Sequence, residues 1–191
     1  MSSRREFLKA GGLALAGLAV PAPFLVGGRS DGIPPPRRGP GRSVTIRMRG
    51  DLSGAHVWFD PIGVLVPPGT TVRWVLEANV HSATAYHPSN GGYAARIPPD
   101  AEPWDSGLLT VPGQAFAVRL EAPGVYDYFC IPHELAGMAG RIVVASANAR
   151  ATDLPSYASG REEHRSPSTA ALAALPEVGR ILTLGRVARE P

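Results

Sequence analysis

The chain has 191 residues, of which 44% are hydrophobic and 18% charged, and its formal net charge is +3. The positive excess lies outside residues 43–146, which contain six arginines and nine acidic residues. A mildly acidic central segment argues against nucleic acid as a partner. The chain has a single cysteine, and in an oxidising compartment a lone thiol is a liability unless it is buried or bound to a metal.

The N-terminus carries paired arginines followed by an apolar run. Ser3–Lys9 reads Ser-Arg-Arg-Glu-Phe-Leu-Lys, and the apolar segment Ala10–Val20 follows. This pattern predicts a twin-arginine export signal over residues 1–28, with cleavage after Ala22 and a periplasmic or extracytoplasmic location. Residues 10–28 carry no charge, so an uncleaved membrane anchor is the alternative. Their glycines and two prolines make a poor continuous helix, which favours cleavage.

Next come a predicted linker and a predicted β-domain. Residues 29–42 are rich in proline, glycine and arginine, which is typical of an extended linker. Residues 43–146 contain short alternating or apolar runs separated by glycine and proline turns, which predicts an all-β sandwich. Its predicted strands begin with the alternating residues Val44, Ile46 and Met48 and continue with Gly63–Pro67, Thr71–Glu77, Val80–Tyr86, Ala115–Leu120, Val125–Cys130 and Arg141–Val144.

The C-terminal extension, residues 147–191, begins with a polar stretch that we expect to wind over the surface. Pro176–Leu182 is predicted to form a short helix, because a proline stands at its start and a glycine near its end. Its apolar residues Val178, Ile181 and Leu182 share one side. A single short helix must bury such a side, and we expect this one to pack on the sandwich rather than on a partner protein.

The loop after the penultimate predicted strand combines three metal-binding side chains. Cys130 is followed by His133 three residues later and by Met138 eight residues later. A thiolate, two imidazoles and a weak axial thioether are the ligands of a blue-copper electron-transfer site. The second histidine must come from elsewhere, and His81 is the best candidate. The alternative is a buried free cysteine that acts as a small hydrophobic residue.

The chain has three further histidines that could compete with His81 and His133 as ligands. His87 follows His81 by six residues, so the two side chains would share a face if one strand continued unbroken. Pro88 indicates that the strand ends there, so we expect His87 to lie beside the site or on the surface. His56 and His164 have no partners in the sequence pattern, and we expect neither to bind the metal.

Residues 43–146 resemble a plastocyanin-type cupredoxin. Gly124–Cys130 resembles the penultimate strand of that family, and Gly140–Val144 resembles its closing strand. The cysteine, histidine and methionine of the intervening loop match the plastocyanin and pseudoazurin spacing, and His81 stands at the position of the first ligand. The resemblance implies a Greek-key β-sandwich that holds one type 1 copper per chain. The implied ligands are His81, Cys130, His133 and Met138.

The sequence departs from the family pattern in two places. The family often has Pro-His-Asn at the first ligand, whereas this chain has Val80-His81-Ser82. The asparagine helps to tie the two ligand segments together; Ser82 can do so with its single hydroxyl, and a looser site is the alternative. The second departure is the extension beyond residue 146, which has no counterpart in a minimal plastocyanin.

The resemblance implies a one-electron carrier outside the cytoplasm that transforms no substrate. Electrons would pass through the exposed edge of His133. The neighbouring residues Ile131, Pro132, Leu135 and Ala136 would form an apolar surface for redox partners of a membrane electron-transport chain. The alternative is an exported copper-binding or delivery protein. A copper enzyme is not expected, because it would need a second copper centre with several more histidines.

Overall fold

A computed structural model describes residues 41–154, 157 and 163–189 of the chain. The predicted export signal at 1–28 and residues 29–40 of the predicted linker lie outside these residues and stay predictions. Across the described ranges, no helix combines the length and the apolar character needed to cross a membrane.

The described residues form two β-sheets. The strands are β1 (Ser43–Gly50), β2 (Val57–Asp60), β3 (Gly63–Val66), β4 (Thr70–Leu76), β5 (Thr84–Ala85), β6 (Ala115–Leu120), β7 (Gly124–Phe129), β8 (Ala139–Val144) and β9 (Arg186–Val187). The first sheet has the order β2-β1-β4-β6 and the second the order β5-β7-β8-β3-β9. The β1–β4 and β3–β8 pairs are parallel, and the others are antiparallel. The predicted all-β sandwich is confirmed.

The first sheet buries one face because its strands alternate apolar and polar side chains. Ile46 and Met48 of β1, together with Trp74 and Leu76 of β4, are fully or almost fully buried. Successive side chains of a strand point to opposite faces, so these residues all turn toward the second sheet. The core that they form with that sheet extends to Cys130.

The sequence prediction missed two strands and overextended a third. β2 and β9 are short, with four and two residues, and such segments are extended only because a neighbouring strand pairs with them. The predicted strand Val80–Tyr86 contains only the two-residue β5. Its earlier part pairs instead with the segment of Leu109, whose backbone exchanges hydrogen bonds with that of His81.

The connection between β7 and β8 carries the candidate metal loop. The two strands pair in register up to Phe129 and Ala139. The backbone N–H of Cys130 then donates to the carbonyl of Met138 at 3.0 Å. Since this bond closes the base of the loop, the cysteine and the methionine are held side by side at the end of the sheet.

The described part of the C-terminal extension contains β9, a 3₁₀ helix (Ala151–Asp153) and two α-helices, α1 (Thr169–Ala174) and α2 (Val178–Leu184). Ile181 of α2 is buried in a cluster with Ile62 of the sandwich and Val143 of β8. The predicted short helix is thus confirmed, and it packs on the sandwich as expected. α1 was not predicted, because its alanine-rich sequence lacks an amphipathic pattern, and its N-terminus depends on capping by Ser168.

A buried carboxylate fastens this extension to β7. Asp127 is fully buried and forms ion pairs with Arg141 at 2.7 Å and Arg96 at 2.8 Å. The hydroxyl of Tyr157 donates to the same carboxylate at 2.8 Å, and Arg141 also donates to the carbonyl of Pro176 at 2.8 Å. Because two of these residues belong to the extension, the network joins it to the second sheet.

Candidate metal centre

Cys130 directly follows β7, and its side chain is fully buried. Burial raises the pKa of its thiol to about 11, although N–H groups of Ser82 and His133 favour the thiolate. The Ser82 N–H donates to Sγ at 3.3 Å. A thiolate at this position needs a cation beside it. The surrounding donor atoms can bind a metal ion that supplies this positive charge.

Three donor atoms converge beside this thiol. Nδ1 of His81 lies 3.2 Å from Nδ1 of His133, and the two nitrogens lie 3.6 Å and 3.4 Å from Sγ of Cys130. A point equidistant from three atoms at these separations is about 2.0 Å from each, close to the 2.0–2.3 Å of metal bonds to protein nitrogen and sulfur. The predicted cysteine and histidines therefore form a triangle of the size that fits one metal ion.

Both imidazoles are suited to bind a metal because they are held neutral. Burial, reinforced by the neighbouring His133, lowers the pKa of His81 to about 4. Burial also lowers the pKa of His133. A metal-binding imidazole must be unprotonated, so the fold favours the form that can coordinate. His81 is fully buried, whereas His133 is partly exposed.

Met138, the predicted axial ligand, is fully buried in the same apolar cluster as Cys130. Its N–H donates to the carbonyl of His133 at 3.1 Å, and its own carbonyl accepts from Cys130. The backbone of the methionine is therefore bonded to both ligands of the loop. Ligation by its thioether stays a prediction.

The loop itself is a 3₁₀ helix, Ile131–Ala136, with Pro132 in its first turn. It ends at Gly137, whose φ of 79° lies in the left-handed region that favours glycine. The next residue is Met138, so the glycine allows the chain to reverse directly before the predicted axial ligand.

Ser82 connects the two ligand segments in the way the sequence predicted. Its hydroxyl accepts a hydrogen bond from the N–H of Ile131 at 2.8 Å and lies 3.0 Å from the hydroxyl of Thr84. Thr84 in turn donates to Asp105 at 2.8 Å. One serine thus joins the segments of His81 and Cys130, and a threonine and an aspartate hold the serine in place.

The remaining histidines lie outside this cluster. Nδ1 of His87 is 2.8 Å from the hydroxyl of Ser89 and also accepts from the Ser89 N–H. Among the described residues, the group of donors close enough to share a metal comprises His81, Cys130 and His133. His56 and His164 do not belong to it.

Sequence reasoning missed one buried residue of the loop. Glu134, directly after His133, is only 4% exposed. Its carboxylate accepts hydrogen bonds from the hydroxyl of Tyr86 at 3.1 Å and from the N–H of Ser168 at 2.6 Å. The sequence around Glu134 contains no sign of this burial, because the partners are 34 or more residues away along the chain.

Comparison with known proteins identifies the class of protein that this fold and site define. Residues 46–145 match the family described as copper binding proteins, plastocyanin/azurin family. That match covers more than half of the chain, and the protein therefore belongs to this family. The metal that fits the triangle is accordingly copper, and the ligand set of a thiolate and two imidazoles is consistent with a type 1 site.

Two plastocyanin sequences support the same assignment. A plastocyanin from Scenedesmus fuscus is 33% identical over 111 residues, which cover 53% of this chain and 98% of that protein. A plastocyanin from a Synechococcus strain is 30% identical over 139 residues, covering 72% of this chain and 86% of that protein. Among solved structures, a pseudoazurin from Hyphomicrobium denitrificans is 25% identical with a TM-score of 0.43, covering 54% of this chain and 75% of that chain.

Proposed function

We propose that the protein is an exported one-electron carrier with one type 1 copper bound by His81, Cys130, His133 and Met138. The observation that carries this proposal is the triangle of donor atoms, 3.2 to 3.6 Å apart, that two separate segments of the sandwich assemble. Ligands held by packed strands and by cross-linking hydrogen bonds move little, which suits a site that must change its charge without changing its shape.

Copper bound here would alternate between Cu(I) and Cu(II). The residues of the chain supply the surroundings for that change. Cys130, His81 and Met138 are buried, so water is kept from three of the four proposed ligands. His133 is partly exposed, and its ring edge is the proposed route for electrons between the site and the surface.

The surface around His133 suits close contact with another protein. Ile131 and Leu135 are 49% and 81% exposed, and Pro132 and Ala136 are exposed as well. Exposed apolar side chains grouped around a functional residue are typical of interaction sites. We infer that redox partners of a membrane electron-transport chain dock on this group.

Copper delivery is the alternative function, and the burial of Cys130 and His81 argues against it. A metal carrier needs ligands that a recipient can reach. We also infer that the protein is not an enzyme. The three histidines left for a second copper centre, His56, His87 and His164, are scattered along the chain.

Visible and electron paramagnetic resonance spectra of the full chain with one equivalent of Cu(II) test this function. We expect an intense blue colour from one copper per chain, which Cys130→Ser abolishes and the control His56→Ala preserves. A colourless parent, or a blue Cys130→Ser variant, would contradict the proposal. Rapid loss of copper to a chelator of moderate affinity would favour delivery instead.

Export is proposed from the paired arginines at the N-terminus. Replacing Arg4 and Arg5 together by lysine keeps the charge but removes the pattern that the twin-arginine route reads. We expect the double variant to stay in the cytoplasm while the parent is found outside it. Fractionation of cells that express each form measures this, and normal export of the double variant would refute the route.

A further inference from the structure

The metal loop contains a carboxylate that the proposed copper site does not use. Glu134 follows the ligand His133 and is only 4% exposed. Burying a carboxylate is unfavourable unless hydrogen bonds replace its hydration. The position of Glu134 is therefore maintained by its partners, and the identity of those partners bears on its role.

Within the described ranges, the carboxylate has two partners, the hydroxyl of Tyr86 in the sandwich and Ser168, the N-cap of α1 in the C-terminal extension. The N–H of Ser168 donates to the Glu134 carboxylate at 2.6 Å, and its hydroxyl donates to the Glu134 carbonyl at 3.2 Å. The hydroxyl also accepts from the N–H of Ala171 at 3.1 Å. One residue of the C-terminal extension thus holds Glu134 at both its side chain and its backbone.

The same extension contacts the end of the loop. The Glu134 carbonyl accepts from the N–H of Gly137 at 2.9 Å, which closes the loop one residue before Met138. A Cβ atom placed on Gly137 would lie 3.1 Å from the carbonyl oxygen of Ala170 in α1. The extension therefore contacts the loop at two points, the residue after one proposed ligand and the residue before another.

We propose that Glu134 is a positioning residue that fastens the metal loop to the C-terminal extension through Ser168. The extension then determines how firmly His133 and Met138 are held, and the buried carboxylate belongs to the residue that directly follows a proposed ligand. This inference rests on the proposed function, since it assigns to the extension a role in tuning the same copper site.

Two substitutions at Ser168 separate the contribution of its backbone N–H from that of its hydroxyl. Ser168→Ala removes the hydroxyl but keeps the N–H bond to the carboxylate. Ser168→Pro removes both donors, and it fits the backbone because the φ of Ser168 is −62°, within the range that proline adopts. Both variants lose the hydroxyl cap of α1, so the difference between them reports the bond to Glu134.

The first measurement is amide hydrogen exchange in the metal-free full chain. Hydrogen bonds to charged groups are the stronger ones, so we expect Gly137 and Met138 to exchange about tenfold faster in Ser168→Pro than in Ser168→Ala. A smaller increase is expected in Ser168→Ala over the parent. Faster exchange confined to α1 in both variants, with the loop amides unchanged, would overturn the proposal.

The second measurement is the reduction potential of the copper-loaded protein. Glu134→Gln keeps the shape of the side chain and removes its charge. It should raise the potential, because a nearby negative charge favours Cu(II) over Cu(I). The control is Glu177→Gln, which neutralises an exposed acid of the same extension and should leave the potential unchanged. Equal shifts in the two variants would overturn the positioning role.

The two measurements also distinguish this inference from the proposed function. A parent protein without a blue site would refute the electron carrier, whereas the exchange experiment on the metal-free chain would still decide whether Ser168 holds the loop. If Ser168→Pro does not fold, Ser168→Ala and Glu134→Gln remain decisive. In that case an unchanged exchange rate at Gly137 together with an unchanged potential would refute the inference.

Discussion

At the proposed site, some residues would hold the metal and another would set its reduction potential. Cys130, His81 and His133 form the triangle of donor atoms. Met138 is buried in the same apolar cluster as Cys130 and is the predicted axial ligand. A long, weak axial ligand contributes less to affinity than to the balance between the two oxidation states of copper. Its substitution should therefore change the potential more than the copper content.

Met138→Leu is expected to keep copper and blue colour and to raise the potential by tens of millivolts, because loss of a donor destabilises Cu(II) more than Cu(I). Met138→Gln should lower it, because an oxygen donor favours Cu(II). A tenfold change in the relative affinity for the two states corresponds to about 59 mV for one electron. Cyclic voltammetry measures both variants, and an unmoved potential in both would mean that Met138 is not a ligand.

The choice between His81 and His87 is also a question about single residues. We expect His81→Ala to lose the type 1 spectrum, because it removes one corner of the donor triangle. His87→Ala should leave the spectrum nearly unchanged, because its ring nitrogen is bonded to Ser89. Visible absorption at equal copper loading compares the two, and the opposite outcome would show that the ligand has been misassigned.

Among the structural elements, β7 serves both the proposed metal site and the attachment of the C-terminal extension. Its last residue leads into Cys130, and its Asp127 binds the C-terminal extension. All six residues of the strand are buried, because the sandwich covers one face and the extension covers the other. The strand that leads into the proposed ligand Cys130 is thus stabilised by packing from both sides.

Asp127→Asn tests how much the contacts between β7 and the C-terminal extension contribute to the stability of the fold. Removing one partner of a buried ion pair leaves uncompensated charge, here on Arg96 and Arg141, and costs about 3 kcal/mol. Urea denaturation of the metal-free protein measures the change in the free energy of unfolding. Glu77→Gln is the control, since it weakens exposed ion pairs to Arg47 and Arg49 and should cost less than about 1 kcal/mol. Equal losses of stability in the two variants would mean that the buried ion pairs of Asp127 contribute no more than the exposed ion pairs of Glu77.

At the scale of the whole molecule, the extension and the sandwich together bury tyrosines whose phenols must stay protonated. Burial raises the pKa of Tyr126 to about 12, and it raises the pKa values of Tyr86 and Tyr157 further. In the unfolded chain a tyrosine titrates near pH 10. Above that pH the folded protein retains more protons than the unfolded chain, and its stability must therefore fall as the pH rises.

We expect the free energy of unfolding to be nearly constant from pH 8 to about 9.5 and to decrease steadily from about pH 10 to 12. Urea midpoints measured across this range in Cys130→Ser, which removes the thiol titration, test the expectation. Tyr126→Phe should lessen the decrease, although it also removes the 2.6 Å hydrogen bond from Tyr126 to the carbonyl of Ala122. Stability that stays constant up to pH 11 would contradict this account.

Much of the fold and part of the candidate site followed from local sequence patterns. Alternation in β1 and β4 predicted their buried faces, because side chains in a strand point to alternate sides. The spacing of Cys130, His133 and Met138 depends on one short loop, so the sequence was sufficient to propose them. The sequence also predicted α2, since its apolar residues recur with the period of a helix.

The sequence by itself therefore determined the sandwich and the copper family, and it proposed the ligands that share one loop. Tertiary structure decided what depends on distant pairing. Only the folded chain brings His81 beside Cys130 and distinguishes it in geometry from His87. Only the folded chain places Ser168 against Glu134 and covers β7 with the extension. These contacts join residues tens of positions apart, and no local periodicity or spacing encodes a hydrogen bond across such a separation.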